Sequence, residues 1–151
     1  MNILATVLAV ALFTTGQPVE KPNFSGEWTL NLEKSSFGVL PPPASISRTI
    51  THAEPALTIV EQQRSDMGDQ TATRKYVTDG TETVFTASGA DVKSSAKWDE
   101  NTLVVISTVD VIGLTFNDRM TISDDGKTMT SVVRMGTPQG DLDLTLVFDK
   151  Q

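Results

Sequence analysis

Cysteine is absent from the 151-residue sequence, and histidine and tyrosine occur once each. These absences exclude a disulfide framework, a thiol nucleophile and the usual zinc and iron–sulfur ligand sets. Cationic side chains are also scarce, with 12 Lys and Arg against 19 Asp and Glu, a net charge of −7 and a pI near 4.6. Neither nucleic acid nor an anionic membrane surface is an expected partner, because both are held by a basic face. No motif implies a cofactor or a metal ion. A long apolar run is missing too. Residues 3–13 are apolar apart from Thr6, a stretch too short to span a bilayer, so membrane insertion is not expected.

That short run has another use. No side chain from Met1 to Gly16 is charged, and Ile3 to Phe13 followed by the small residues Thr14 and Gly16 has the form of an export signal cut before Gln17. The competing reading, an apolar first strand, lacks the alternation of a half-buried strand. The expected organisation is a signal peptide over residues 1–16 and one domain over residues 17–151, secreted or periplasmic.

What the chain does have is β-forming. Its 21 threonines, many beside Val or Ile, favour strand over helix. Turn signals recur at Glu54-Pro55, Gly68-Asp69, Asp79-Gly80, Ser88-Gly89, Asp99-Glu100-Asn101, Gly113, Asp124-Asp125-Gly126 and Pro138-Gln139-Gly140. This rhythm of one strand and one turn predicts strands near 24–32, 45–52, 56–63, 70–78, 81–86, 90–98, 102–112, 114–123, 127–136 and 141–149. Such a meander loses its two edges by closing on itself. The expected fold is all-β, an up-and-down antiparallel barrel of about ten strands without significant helix. Between Glu33 and Ala44 the rhythm breaks, and Pro41-Pro42-Pro43 predicts a stiff extended strap or lid.

The segment Asn23-Phe24-Ser25-Gly26-Glu27-Trp28-Thr29-Leu30 resembles the opening Gly-x-Trp strand of the lipocalin and fatty-acid-binding protein superfamily, with Gly26 and Trp28 on the motif. Glu33-Lys34-Ser35-Ser36-Phe37-Gly38 is similar to small secreted bacterial lipocalin-like proteins. The resemblance implies a calycin-like barrel with an internal cavity. Trp28 would plug one end, and Gly26 would let neighbouring backbone pass close by. The chain departs from the fatty-acid-binding branch in two places. No helix pair follows the first strand, and the last strand, Asp141 to Phe148, lacks the Arg-x-Tyr pair that in that branch grips the ligand carboxylate.

Residues opposite each other in an antiparallel hairpin share a face. A hairpin centred on Glu54-Pro55 pairs Arg48 with Glu61, Ile50 with Ile59 and His52 with Leu57. One turning at Asp124 to Gly126 pairs Phe116 with Met135, Asp118 with Val133, Met120 with Ser131 and Ile122 with Met129, and the next matches Val133 with Leu144. Through the middle, pairing Tyr76 with Thr83, Thr83 with Ser94, Ser94 with Ser107 and Ser107 with Asp118 gives an inward polar row. Arg74, Phe85, Val92, Val109, Phe116 and Met135 form its apolar neighbour, and Arg48 and Glu61 continue the polar character beside Arg74. Unpaired buried polar groups cost about 1–3 kcal/mol each, so this interior needs water or a ligand. Asp118 is expected to accept hydrogen bonds from Ser107 and Tyr76. His52, beside a turn, is expected at the surface.

Three functions fit these residues. The first is a carrier or scavenger of a small hydrophobic or amphipathic molecule, with Arg48, Glu61, Arg74, Tyr76, Thr83, Phe85, Ser94, Ser107, Phe116 and Asp118 lining its site. The second is a barrel filled by its own side chains, acting as a structural or protein-interaction module. The third is a cyclase- or isomerase-like enzyme using the polar row, although no catalytic constellation anchors it and the chain reads as a non-enzyme. On the export expectation, N-terminal sequencing of protein from the extracytoplasmic fraction starts at or near Gln17, and recovery of intact Met1 contradicts it.

Overall fold

Alternation decides the strands. In Ser45–Ala53, Ile46, Arg48, Ile50 and His52 are buried while Ser47, Thr49 and Thr51 are exposed, the period of two that a sheet with one wet face requires. The computed structural model describes residue 16 and residues 19–151, so the expected signal peptide lies outside the described residues apart from Gly16. The strands are β1 (Gly26–Leu30), β2 (Ser45–Ala53), β3 (Ala56–Arg64), β4 (Gln70–Val77), β5 (Thr83–Ala87), β6 (Ala90–Asp99), β7 (Thr102–Val109), β8 (Leu114–Ile122), β9 (Thr128–Thr137) and β10 (Gly140–Lys150). One 3-10 turn, Asp110–Ile112, is the only helical element among the described residues. The sheet order is β4-β3-β2-β1-β10-β9-β8-β7-β6-β5, a meander in which β10 returns to pair with β1. It is the expected all-β, up-and-down barrel, closed everywhere except between β4 and β5.

Most hairpins have the expected register, including Arg48 opposite Glu61, Thr83 opposite Ser94, Ser94 opposite Ser107 and Asp118 opposite Val133. Two do not. Ser107 pairs with Phe116 and Asp118 with Val105, not Ser107 with Asp118. The 3-10 turn and Gly113, at φ 65°, end β7 at Val109 rather than at residue 112 and move the register by two. A shift of two keeps every side chain on its face, so Ser107 and Asp118 still point inward.

The second correction concerns Tyr76 with Thr83 and Arg74 with Phe85, which are not ladder partners, because β4 and β5 form the two ends of the sheet. Beyond Val77 the chain crosses to β6 instead. There Asp79 bridges Lys97, and the Gly80 N–H donates to the Ala96 carbonyl at 2.8 Å. Side chains complete this seam, with the Tyr76 and Phe85 rings edge to face at 6.3 Å.

The segment between β1 and β2 is a strap along β10. The Ser36 N–H donates to the Thr145 carbonyl at 2.7 Å, and the Thr145 N–H donates back at 2.9 Å. β1 pairs with β10 only at Phe148 to Lys150, so the strap occupies the β10 edge that β1 leaves open. Phe37 packs onto the core, and Val39 stays 82% exposed.

Inward side chains are fully buried at the end that holds β1. Phe24, Trp28, Leu57, Leu103, Met120, Met129 and Phe148 are each at most 1% exposed. The Trp28 indole N–H donates to the Phe24 carbonyl at 2.9 Å, and the ring carries the Lys150 ammonium 5.2 Å from its centre. Gly26 has φ 138°, and a Cβ there would meet the Lys150 side chain at 2.7 Å. The glycine therefore accommodates a lysine rather than neighbouring backbone.

His52 corrects another expectation, being buried and not at the surface. Its Nδ1 accepts the Phe24 N–H at 3.1 Å, which leaves the ring proton on Nε2, 2.7 Å from Glu54 Oε1. Glu54 also receives the Thr78 hydroxyl at 2.6 Å and the Trp98 indole N–H at 2.9 Å, tying β2, β4 and β6 together across the closed end. Trp28→Ala, which empties this plug, is expected to cost about 3–5 kcal/mol in urea unfolding, and a loss below about 1 kcal/mol would contradict the plug.

Candidate functional site

Along the barrel axis the inward residues change from sealed to partly exposed. The buried plug gives way to Phe85, Ala87, Phe116, Met135, Leu142 and Leu144, which keep partial exposure. These lie toward the end formed by the turns at residues 65–69, 88–89, 110–113 and 138–139. The barrel is thus closed by packing at one end and less tightly filled at the other. The ten expected site residues have the inward parity of their strands. Arg48, Glu61, Arg74 and Asp118 are joined in a polar layer through Ser131, and Thr83, Ser94 and Ser107 form a separate hydrogen-bonded group.

The centre of the layer is Glu61, 2.7 Å from Arg48 Nε and 2.7 Å from Arg74 Nη2. Side-chain exposure is 5% for Arg48, 16% for Glu61 and 23% for Arg74. The Arg48 guanidinium lies over the Phe148 ring, 4.3 Å from its centre, and Nη1 donates to the Ser131 hydroxyl at 3.3 Å. That hydroxyl in turn donates to Asp118 Oδ2 at 3.3 Å. Arg48 therefore spans the interior past β1 and β10, linking Glu61 on β3 to Asp118 on β8. Asp118 takes its hydrogen bond from Ser131 and not from Ser107 or Tyr76. Ser107 instead shares a 2.7 Å hydrogen bond with Ser94, and Thr83 donates weakly to the Ser94 carbonyl at 3.4 Å. Tyr76 meets Phe85 edge to face at the seam, while Phe116, opposite Met135, stands toward the less tightly filled end.

The two carboxyls of the layer have opposite fates. Burial alone would raise Glu61, but the charges and hydrogen bonds of Arg48 and Arg74 outweigh it and hold the pKa down from 4.5 to about 2. Asp118 is raised, because burial dominates the pull of Arg48, the Ser131 hydrogen bond and Arg74, and Glu61 adds to the rise. Burial also raises the Tyr76 hydroxyl. Arg74 remains a cation, since Glu61 more than offsets the cost of desolvation.

Ser131 was legible in the sequence as an inward residue opposite Met120, yet its linking role was not. That role depends on how far Arg48 reaches across the lumen, which pairing arithmetic does not encode. A cleft of about 410 Å³ lies on the outer wall, lined by outward residues such as Ser95, Lys97, Val104 and Ile106, and it includes no residue of the polar layer.

No protein-family model and no curated protein matches the sequence. Solved structures do match the fold. A secretary abundant heat soluble (SAHS) protein from Ramazzottius varieornatus superposes with a TM-score of 0.66 at 12% identity, over 85% of this chain and 95% of that one. Zebrafish ileal bile acid-binding protein complexed with cholic acid gives 0.61 at 14% identity, over 85% and 98%. A Schistosoma mansoni fatty-acid-binding protein in complex with arachidonic acid gives 0.59 at 17% identity, over 85% and 96%. The chain has the β-barrel fold of the fatty-acid-binding, calycin-like proteins, as its Gly26–Trp28 strand implied.

Glu61 makes a measurable contribution. Its folded-state pKa is depressed, so its stabilisation is complete above about 4.5 and is lost as pH falls toward about 2. Glu61→Gln leaves two buried guanidinium groups without their anion and is expected to cost about 3–5 kcal/mol at neutral pH. It also removes the part of the acid sensitivity between pH 4.5 and about 2, as read by unfolding midpoints across that range.

Proposed function

We propose that the protein is a carrier or scavenger of a small amphipathic anion, held inside the barrel with its head group on the polar layer. The observation that carries this reading is Arg74. Its Nη2 is engaged by Glu61, while its Nε is buried and has no hydrogen-bond partner among the described residues. A buried, permanently charged donor without an acceptor is costly, and a carboxylate or similar head group would supply one. Arg48 and Arg74 would thereby take the place of the Arg-x-Tyr pair missing from β10, with Glu61 orienting both guanidinium groups. The tail would lie against Phe85, Phe116 and Met135, with the strap from Phe37 to Pro43 along one side. The named ligands of the structural neighbours, cholic acid and arachidonic acid, belong to this chemical class. Action outside the cytoplasm, following cleavage near Gln17, is part of the same proposal.

A second reading has its own support. The cluster running from Phe24 and Trp28 to Met129 and Phe148 packs the closed half with side chains, as a structural or interaction module would. Displacement of a fluorescent fatty acid by dodecanoate and by 1-dodecanol separates the two. Charge-assisted hydrogen bonds are worth about 1.5–3 kcal/mol, so Arg74→Met is expected to weaken dodecanoate by roughly 10- to 150-fold and to leave 1-dodecanol nearly unchanged. Absence of binding by either ligand would favour the filled barrel.

A further inference from the structure

Arg74 Nε is not alone. Asp118 Oδ1 is the second buried polar atom of the layer without a hydrogen-bond partner among the described residues. The other oxygen, Oδ2, receives only the Ser131 hydroxyl, at 3.3 Å. Glu61, in the same layer, has a guanidinium nitrogen of Arg48 and another of Arg74 at 2.7 Å. One carboxyl is held by two cations, both on its Oε2, and the other by a single neutral hydroxyl. Environments that differ in this way assign different protonation behaviour to neighbouring acids.

The charges facing Asp118 are few. They are Arg48 from β2, Glu61 from β3, and Arg74 with the phenol of Tyr76 from β4. On the inward faces of β1, β5, β6, β7, β9 and β10 the one acidic or basic group is Lys150 of β10, opposite Trp28, whose ammonium lies over the Trp28 ring at the closed end. With Asp118 ionised, the two arginines are balanced by two carboxylates and the layer is neutral. An arriving anion would then meet an uncompensated carboxylate. With Asp118 protonated, the layer carries one positive charge, and Oδ1 becomes a hydroxyl donor in the same layer as the unpaired Arg74 N–H.

We propose that Asp118 couples ligand binding to proton uptake: a proton from solvent adds to Oδ1 as an anionic head group enters, and Asp118 and Arg74 then donate to that head group together. No other bond changes. The inference rests on the carrier reading and adds the regulation of that site, namely tighter holding of anions as the surroundings acidify. Burial, which pushes the Asp118 carboxyl up, places the ionised form at a disadvantage before any ligand arrives.

The test uses two probes that share an aromatic body. 1-Anilinonaphthalene-8-sulfonate is a permanent anion, and N-phenyl-1-naphthylamine is its neutral counterpart. In fluorescence titrations from roughly pH 5 to 8.5, the sulfonate is expected to lose up to about tenfold in affinity per pH unit above the Asp118 pKa of the free protein. The neutral probe should show a flat profile. Calorimetry of the sulfonate in buffers of differing ionisation enthalpy is expected to show uptake approaching one proton per anion in that window. Asp118→Asn should flatten the sulfonate profile and abolish the uptake.

Carbon-13 carboxyl NMR of the wild-type protein gives a readout that does not depend on the variant folding. The Asp118 resonance should titrate at higher pH once the sulfonate is bound. A flat sulfonate profile without uptake, a slope that survives in Asp118→Asn, or an Asp118 titration unmoved by the anion would each overturn the coupling while the carrier reading stands. Failure of both probes to bind at any pH would overturn the carrier reading itself and the coupling with it.

Discussion

One carboxylate held between two guanidinium groups organises this barrel. Taking Glu61, Arg48 and Arg74 out of water together is costly, and only two short contacts, both 2.7 Å and both to Glu61 Oε2, make it sustainable. Those contacts need the three strands β2, β3 and β4 in a fixed register, with Arg48 opposite Glu61 and Arg74 one inward step farther along β4. A slip of one residue in any one of these strands would turn its charge outward and its apolar neighbours with it. The layer therefore specifies register as well as charge. In the proposed carrier it would also set a limit on the ligand. Two cations share one firmly ionised anion, which leaves positive charge uncompensated unless Asp118 ionises.

The closed half makes such a layer tolerable. Trp28, Phe148, Met129 and Leu103 exclude water beneath it, and the Phe148 ring supports the face of the Arg48 guanidinium. Closure of the sheet does not come from hydrogen bonds alone. Between β4 and β5 there is no ladder, and the work passes to the Tyr76–Phe85 contact and to the Glu54 carboxylate, which gathers donors from His52, Thr78 and Trp98. Burial opposes ionisation of Glu54, yet those three hydrogen bonds outweigh it and hold its pKa below the usual value.

Much of this is legible in the sequence. The strand rhythm follows from turn chemistry, and inward faces follow from the period of two. Arg48 opposite Glu61 and Asp118 opposite Val133 were recoverable from hairpin centres alone. The failures have local physical causes. A 3-10 turn at Asp110–Ile112 has no strong sequence signature, and it moved one register by two while sparing the faces. Asp79-Gly80 reads as a hairpin turn, but the chain there is captured by β6, a long-range competition that local propensity does not report. His52 was misplaced for a similar reason. Its position beside a turn suggests exposure, whereas the segment before β1 folds over it through the Phe24 N–H. Ser131 shows the remaining limit, since pairing gives a side chain's face but not how far a long neighbour reaches across the lumen.

The layer's two acids set opposing demands on stability. Glu61 stabilises the folded chain once pH is above about 4.5, whereas Asp118, with its pKa raised by burial, imposes a cost that grows as pH rises through its folded-state value. A barrel selected for stability alone would place an apolar residue at position 118, because its neighbours Val105 and Val133 would pack against one. The Asp118 cost is instead retained in the half of the barrel where inward side chains stay partly exposed. A group that binds the layer from that side can recover the cost by giving Asp118 and Arg74 their missing partner. In the proposed carrier, the same two atoms that lower the stability of the barrel alone would supply the affinity for the head group, and the acidity of Asp118 would decide at which pH the exchange is favourable.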